Sequence, residues 1–317
     1  MTLITRSFLL LVTSIALAHA QPYPSKPSRI VVGFTAGGPS DIVARIVAQQ
    51  LTERMGQSFI VENRVGATGT IGAELVAEAP PDGYALYLAS QTTHAVAPYM
   101  YAKVGYDPLK DFATVVRVVH NPLLMVVNPA FPVTSIKELI ALAKARPGEL
   151  TFASSGNFSS PHLAGELLNL AQNIRLVHIP YKGTGPAAIA AMTGETTMMF
   201  GTGPSVVPHL PGGRLRALAT TGVRRSIPEL PTIGEFVPRY EVTQWYGILV
   251  PTGTPREIVE RLHREIVRCV ANAKVTQVLA NLGTQPMTNA PDEFRAFIQA
   301  ESDKWSKVIK AAKIKAD

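Results

Sequence analysis

Several short loops rich in glycine, hydroxyl and amide groups carry the residues best suited to chemistry in this chain, and each follows an apolar run of strand length. The first is Phe34-Thr35-Ala36-Gly37-Gly38-Pro39-Ser40-Asp41, with Ile42, Ile46, Val47 and Leu51 behind it at helical spacing. Gly37 and Gly38 let backbone amides turn toward one point, and the helix that follows presents its unpaired N–H groups and positive dipole end. Such a site suits a carboxylate or another small anion. A plainer reading stands beside it: the glycines turn the chain, and Ser40 and Asp41 satisfy helix-start donors. Asp41 holds the position of a cap or of an acceptor for a ligand cation.

Ser90-Gln91-Thr92-Thr93-His94 follows a later apolar run and falls at the same sheet edge. Ser90, Thr92 and Thr93 could hold an oxyanion or ordered waters, and His94 is either a base or a structural hydrogen-bonding group. The device recurs as Ser154-Ser155-Gly156-Asn157-Phe158-Ser159-Ser160-Pro161-His162, where Ser160 or a neighbour caps a helix whose open amides face a cleft. Ser155, Asn157, Ser160 and His162 are therefore candidate ligand contacts. Tyr181-Lys182-Gly183 precedes another helix, with Lys182 either paired to a second carboxylate or simply solvated. Phe200-Gly201-Thr202-Gly203-Pro204 repeats the strand-to-loop step, and Phe34, Tyr181, Phe200, Trp245 and Tyr246 are candidate ligand walls or core.

Other chemistries find little support. The dinucleotide and phosphate-loop glycine patterns are missing after the first strand. A nucleophile elbow is missing too, and no acid pairs with His162 or His178 by order or spacing. The seven histidines contain no His-Glu-x-x-His pair, and one cysteine excludes zinc frameworks with several thiolates. The expectation is no catalytic residue, no metal and no cofactor. The formal charge of +7 steers anions by field, but no cluster of Lys and Arg makes a nucleic-acid track.

The elements that must position these loops alternate. Strands at Arg29–Phe34, Phe59–Val61 and Tyr84–Ala89, with helices between, predict an α/β unit on a largely parallel sheet. After Pro122 the alternation restarts, through Leu123–Val127, a helix capped by Ser135 and Glu138, Leu150–Ala153, Leu176–Ile179 and Met198–Phe200. Thr254 is placed as the cap of the next helix and Asn289 as that of the last. The terminal helices have no third unit to join and return to the first domain. Domain 1 is thus expected over 21–120 and 241–317, and domain 2 over 121–240, giving two α/β lobes with a central cleft and a hinge crossed twice.

The amino terminus sets the compartment. Arg6, the apolar stretch Phe8–Ala18 and the small residues of Ala18-His19-Ala20 read as a signal peptide over 1–20, with the mature chain starting at Gln21. Export places the protein in the periplasm of a Gram-negative cell. About 297 residues remain, enough for two ordinary domains. Cys269, alone and on an amphipathic helix, reads as a buried small hydrophobe.

The spaced motifs also carry a resemblance. Tyr23-Pro24, Arg29-Ile30-Val31-Val32, Gly37-Gly38 with Asp41 and Arg45, Val61-Glu62-Asn63-Arg64, Pro81-Asp82-Gly83-Tyr84, His162-Leu163-Ala164-Gly165-Glu166, Pro180-Tyr181-Lys182-Gly183 and Gly253-Thr254-Pro255 span nearly the whole mature chain. The chain resembles the Bug or TctC family of periplasmic binding proteins of tripartite tricarboxylate transporters. The resemblance implies a type II periplasmic-binding-protein fold that closes over a small organic carboxylate. It implies contacts from loops matching Phe34 to Asp41, Ser90 to His94 and Ser155 to Ser160, with Tyr181, Lys182, Gly183, Phe200 and Gly201 on the opposite wall. Partners would be a large and a small membrane subunit, or, as the alternative, a membrane sensor, with the receptor itself a monomer. Relatives commonly carry an aspartate or polar residue where this chain has Gly201; a cleft-facing Gly201 would admit a larger or more anionic ligand. Citrate, other aliphatic dicarboxylates and aromatic acids all remain candidates.

Overall fold

The computed structural model describes residues 23–225, 227–281 and 284–314; the expected signal peptide and the start at Gln21 lie outside them. The chain begins with β1 (Ser28–Val32), α1 (Pro39–Met55), β2 (Phe59–Asn63), α2 (Thr70–Ala77), β3 (Ala85–Ser90) and the short α3 (Ala97–Met100). Proline in its first turn opens α1, and Gly56, at φ +73°, closes it by donating to the Thr52 carbonyl. β4 (Phe112–Pro122) then leads out of this lobe.

The second lobe contains β5 (Leu124–Val127), α4 (Ile136–Ala145), β6 (Thr151–Ser154), α5 (Ser160–Gln172), β7 (Val177–Pro180), α6 (Thr184–Thr193), β8 (Met198–Gly201), α7 (Gly203–Val206) and β9 (Arg216–Thr220). The chain returns through β10 (Thr243–Pro251) and finishes with α8 (Arg256–Val270), α9 (Ala273–Asn281), β11 (Gln285–Pro286) and α10 (Pro291–Ala311).

Two sheets result, in the orders β11-β4-β10-β3-β1-β2 and β7-β6-β8-β5-β9. Both are mixed, not largely parallel. β1 lies parallel to β2 and β3, whereas β10 runs antiparallel to β3 and β4. In the second sheet β6 is parallel to β7 and β8, and β5 is antiparallel to β8 and β9. The crossings impose this. β3 and β4 run toward the second lobe, and β10, entering from it, must run the other way between them.

The terminal helices pack on the first sheet: α8 on β4 and α1, and α10 on β4 and the turn at Thr92–Val96. α10 also touches α5, and one apolar cluster runs from Tyr87, Phe112, Trp245 and Phe294 to Phe152, Leu163 and Phe200. The lobes therefore share a core along one flank. Cys269 is buried among the apolar residues of α8, and burial pushes its thiol up to about 12.

Two caps differ from expectation. The residue before α8 is Pro255, while the Thr254 hydroxyl donates to the Pro251 carbonyl. Ala290 precedes α10, and Asn289 Oδ1 instead accepts from Arg117 N at 3.2 Å. The Thr254 side chain is taken by its own preceding turn and that of Asn289 by a distant strand, so neither serves the helix start that local spacing assigns to it. Ser135 does cap α4, accepting from Glu138 N at 3.2 Å.

Candidate functional site

A cleft of about 410 Å³ opens between the lobes, walled by loops at facing edges of the two sheets. The first lobe supplies Phe34, Thr35, Gly38, Pro39 and Ser40 from the β1–α1 loop, Thr68 from the turn before α2, Ser90 and Thr92 at and after the end of β3, and Gln244 and Tyr246 from β10. The second supplies Ser155, Asn157 and Phe158 to Pro161 before and at the start of α5, Gly183 and Thr184 at the start of α6, and Thr202 after β8. None of these lining residues is an acid, a base or a histidine. Recognition here falls to hydroxyls, side-chain amides and backbone N–H groups.

Helix ends dominate that inventory. The residues before α1 and α6 are Gly38 and Gly183, and neither helix start receives a side-chain cap. Orphan amides and the positive ends of two dipoles thus face one space from opposite lobes. α5 differs, because the Ser159 hydroxyl caps it by accepting from His162 N at 3.4 Å.

Eleven of the sequence-predicted site residues line this space: Phe34, Gly38, Pro39, Ser40, Ser90, Thr92, Ser155, Asn157, Ser160, Gly183 and Tyr246. The remaining ten do not, for identifiable reasons, and Trp245 among them is fully buried in the core. Gly37 turns its N–H back onto Asp41 Oδ2 at 2.8 Å. Asp41 is buried and also accepts from Arg45 Nε at 2.8 Å and Asn63 Nδ2 at 2.9 Å, so it anchors the loop. Burial opposes its charge, yet the bonds from Arg45, Gly37 and Asn63 outweigh that and hold its carboxyl below the ordinary value.

Thr93 and His94 point inward. The Thr93 hydroxyl meets Ser90 Oγ at 3.2 Å and His94 Nδ1 at 3.0 Å, which staples the turn after β3. His94 lies fully buried against Tyr87, Tyr106 and Phe112, and burial holds its pKa down to about 3. A neutral imidazole with no solvent path serves neither as general base nor as a charge for an anion. His162 accepts from Phe158 N at 3.0 Å and stacks on His178 with ring centroids 3.7 Å apart. Burial, then His178, brings His162 to about 3, and burial brings His178 to about 4. Both rings buttress the β6–α5 loop from behind.

On the far wall, Tyr181 directs its hydroxyl to Glu195 at 2.8 Å, and Lys182 is exposed to solvent. Phe200 is buried in the shared core. Gly201 is also buried, and a Cβ there would collide with Val206 and crowd Met199 and Ser205. Its missing side chain makes room for α7 and does not enlarge the cleft. Thr68 and Gln244 were not singled out from sequence. Thr68 sits in the glycine-flanked turn Gly66–Gly69 and Gln244 in a strand whose neighbours are core, so neither carried a local signal.

The lobes are tied at the cleft floor. Ser160 Oγ donates to Gln91 Oε1 at 2.5 Å, joining the start of α5 to the end of β3. Among the described residues no group of three or more His, Cys, Asp or Glu is placed to hold a metal ion, and no helix is long and apolar enough to cross a membrane.

Two α/β lobes on mixed sheets, with a polar cleft between them, define a type II periplasmic solute-binding protein. The chain belongs to the tripartite tricarboxylate transporter family of receptors, TctC, whose family model matches residues 43–314. It is similar to the protein BugT of Bordetella pertussis, at 36% identity over 306 residues, covering 95% of this chain and 94% of that protein. Among solved structures it is similar to the R. palustris protein Rpa4515 with adipate, at 35% identity and a TM-score of 0.79, covering 93% of this chain and all of that one (100%). It is also similar to MatC from Rhodopseudomonas palustris with bound malate, at 31% identity and a TM-score of 0.74, covering 90% and 100%. Proteins of this family are periplasmic, bind small carboxylates without catalysis and work with membrane components of their transporters.

Proposed function

We propose that this receptor captures a small organic carboxylate, a di- or tricarboxylate or an aromatic acid, and delivers it to the large and small membrane subunits of a tripartite transporter. One observation carries the reading: the uncapped starts of α1 and α6 face each other across a cleft rimmed by hydroxyls and lacking any charged lining residue. A partly buried anion gains up to about 2 kcal/mol from a helix end in favourable geometry. Hydrogen bonds to a charged group add about 1.5–3 kcal/mol each. Two helix ends and a few hydroxyls therefore supply the attraction for a carboxylate without an arginine, from which the cost of association is subtracted. Two similar solved structures hold adipate and malate, both aliphatic dicarboxylates, which agrees with this chemistry.

In this reading residues 1–20 are the signal peptide, 21–120 with 241–317 form one domain, and 121–240 form the other. Lobe closure about the crossings near Pro122 and Thr243 brings Gly183 and Thr184 toward Gly38 and Ser40. The test is a thermal-shift screen of purified, ligand-stripped protein against aliphatic and aromatic mono-, di- and tricarboxylates. Binding to the folded state alone raises apparent stability with dose. A shift confined to carboxylates supports the proposal, and no shift with any of them on a verified ligand-free sample overturns it.

A further inference from the structure

His162 and His178 lie outside the cleft lining, yet the hydrogen bonds of both rings run to the loop that forms one of its walls. That loop, between β6 and α5, brings Ser155, Asn157, Phe158 and Ser159 to the cleft. Its backbone is held in a shape that chain sterics disfavour. Phe158 has φ +59°, in the left-handed region that a residue with a bulky side chain rarely adopts, and Gly156 has φ +122°. A conformation of this kind persists only where its surroundings over-determine it, and such residues gather at ligand clamps.

Here the surroundings are the two rings. His162 Nδ1 accepts from Phe158 N at 3.0 Å, so the bond falls on the left-handed residue itself. At the other end of the loop His178 Nε2 shares a 2.6 Å hydrogen bond with Ser154 Oγ, which also bonds Gly156 N at 3.1 Å and Gly156 O at 3.0 Å. The rings stack with centroids 3.7 Å apart and planes within 7°, so each fixes the other. One clamp thus grips Gly156 and Phe158, the residues on either side of cleft-lining Asn157.

The acceptor can be assigned to an atom. A main-chain amide only donates, so Nδ1 is the unprotonated nitrogen of His162, and the ring proton sits on Nε2, facing Glu166 Oε1 at 3.8 Å. Burial keeps both rings neutral, which leaves that lone pair in place.

We infer that His162, with His178 behind it, is a positioning residue for ligand capture: its Nδ1 lone pair holds Phe158 in the left-handed conformation and so sets Asn157 against the bound carboxylate. The inference rests on the carboxylate reading of the cleft and adds to it a residue that never touches the ligand.

The test compares two substitutions of nearly equal size. His162→Asn places Oδ1 where Nδ1 stands and keeps an acceptor for Phe158 N, whereas His162→Leu offers none; both lose the stacking on His178 alike. Each is compared with the parent mature chain at neutral pH by urea unfolding, which establishes that it is folded, and by calorimetric titration with succinate, adipate, citrate and benzoate. A misplaced hydrogen bond to a charged group corresponds to about tenfold or more in Kd, so His162→Leu should bind the acid the parent prefers about tenfold more weakly or worse, with His162→Asn within about threefold of the parent. His178→Phe keeps a stacking ring but drops the bond to Ser154; it should weaken binding in the same direction and serves where the Leu variant does not fold. Folded Leu or Phe variants that bind as the parent does, or an Asn variant as weak as the Leu variant, overturn the positioning role and leave the carboxylate reading intact. Failure of the parent to bind any of the four acids overturns both.

Discussion

Acidification should destabilise this protein through His94, and the size of the effect follows from where the ring sits. His94 is enclosed by Tyr87, Tyr106 and Phe112 beneath the Ser90–Thr93 turn, with only the Thr93 hydroxyl at its Nδ1. Burial lowers its pKa from 6.5 to about 3, so on acidification the unfolded chain takes up a proton that the folded chain refuses. Stability is therefore complete above the unfolded value, declines as pH falls below it, and levels off once the folded ring itself titrates. Between about pH 7.5 and about pH 5 one such group removes about 2 kcal/mol. Asp41, held below its ordinary value, stays ionised throughout that interval and does not contribute. The assay is equilibrium urea unfolding at both pH values for the parent and for His94→Leu. Loss of the Thr93 contact shifts the variant's curve at both pH values alike, but the variant should lose about 2 kcal/mol less on acidification. His162 and His178 act with the same sign and remain in both proteins. Equal acid-induced losses in parent and variant would refute the assignment of His94 as a neutral, enclosed ring.

Three further outcomes are expected. Ser160→Ala removes the donor to Gln91 Oε1, in a buried side chain whose Nε2 has no partner among the described residues, and should cost about 1–3 kcal/mol by urea unfolding. Gly201→Asp drives a Cβ into Val206 and should destabilise the fold by about 1–3 kcal/mol while leaving the ranking of ligands in a binding screen unchanged; a switched ranking would place Gly201 in the cleft after all. Gly183→Ala forces a side chain onto φ +113° and ψ 170° at the start of α6, a strain of about 1–3 kcal/mol, and should weaken carboxylate binding more than Lys182→Ala, which changes an exposed residue outside the cleft lining.

Much of the architecture was legible from local pattern. Apolar runs followed by glycine and hydroxyl loops and then helical spacing announce strand-loop-helix units, because a strand end, a tight turn and an exposed helix start are set by neighbours in sequence. That logic found the loops at Phe34–Asp41, Ser90–His94 and Ser155–His162, all of which reach the interlobe region. It also found the restart of alternation after Pro122, which falls where the chain passes from one sheet to the other.

Which members of each loop face the cleft was decided by tertiary structure. Within five consecutive residues, Ser90 and Thr92 line the space while Thr93 and His94 turn into a core built from Tyr87, Tyr106 and Phe112, residues that no local window joins to the loop. Asp41 goes to Arg45 and Asn63 because β2 lies beside β1, and Gly201 is small because α7 folds back on β8. Gln244 enters the site only because β10 returns between β3 and β4. The sequence by itself determined most of the elements and the loops with the hydroxyl, amide and glycine residues they carry, since those depend on short-range backbone geometry and residue type. Only the packing of two mixed sheets edge to edge decided which side chains meet across the cleft, because that depends on contacts between residues far apart in the chain.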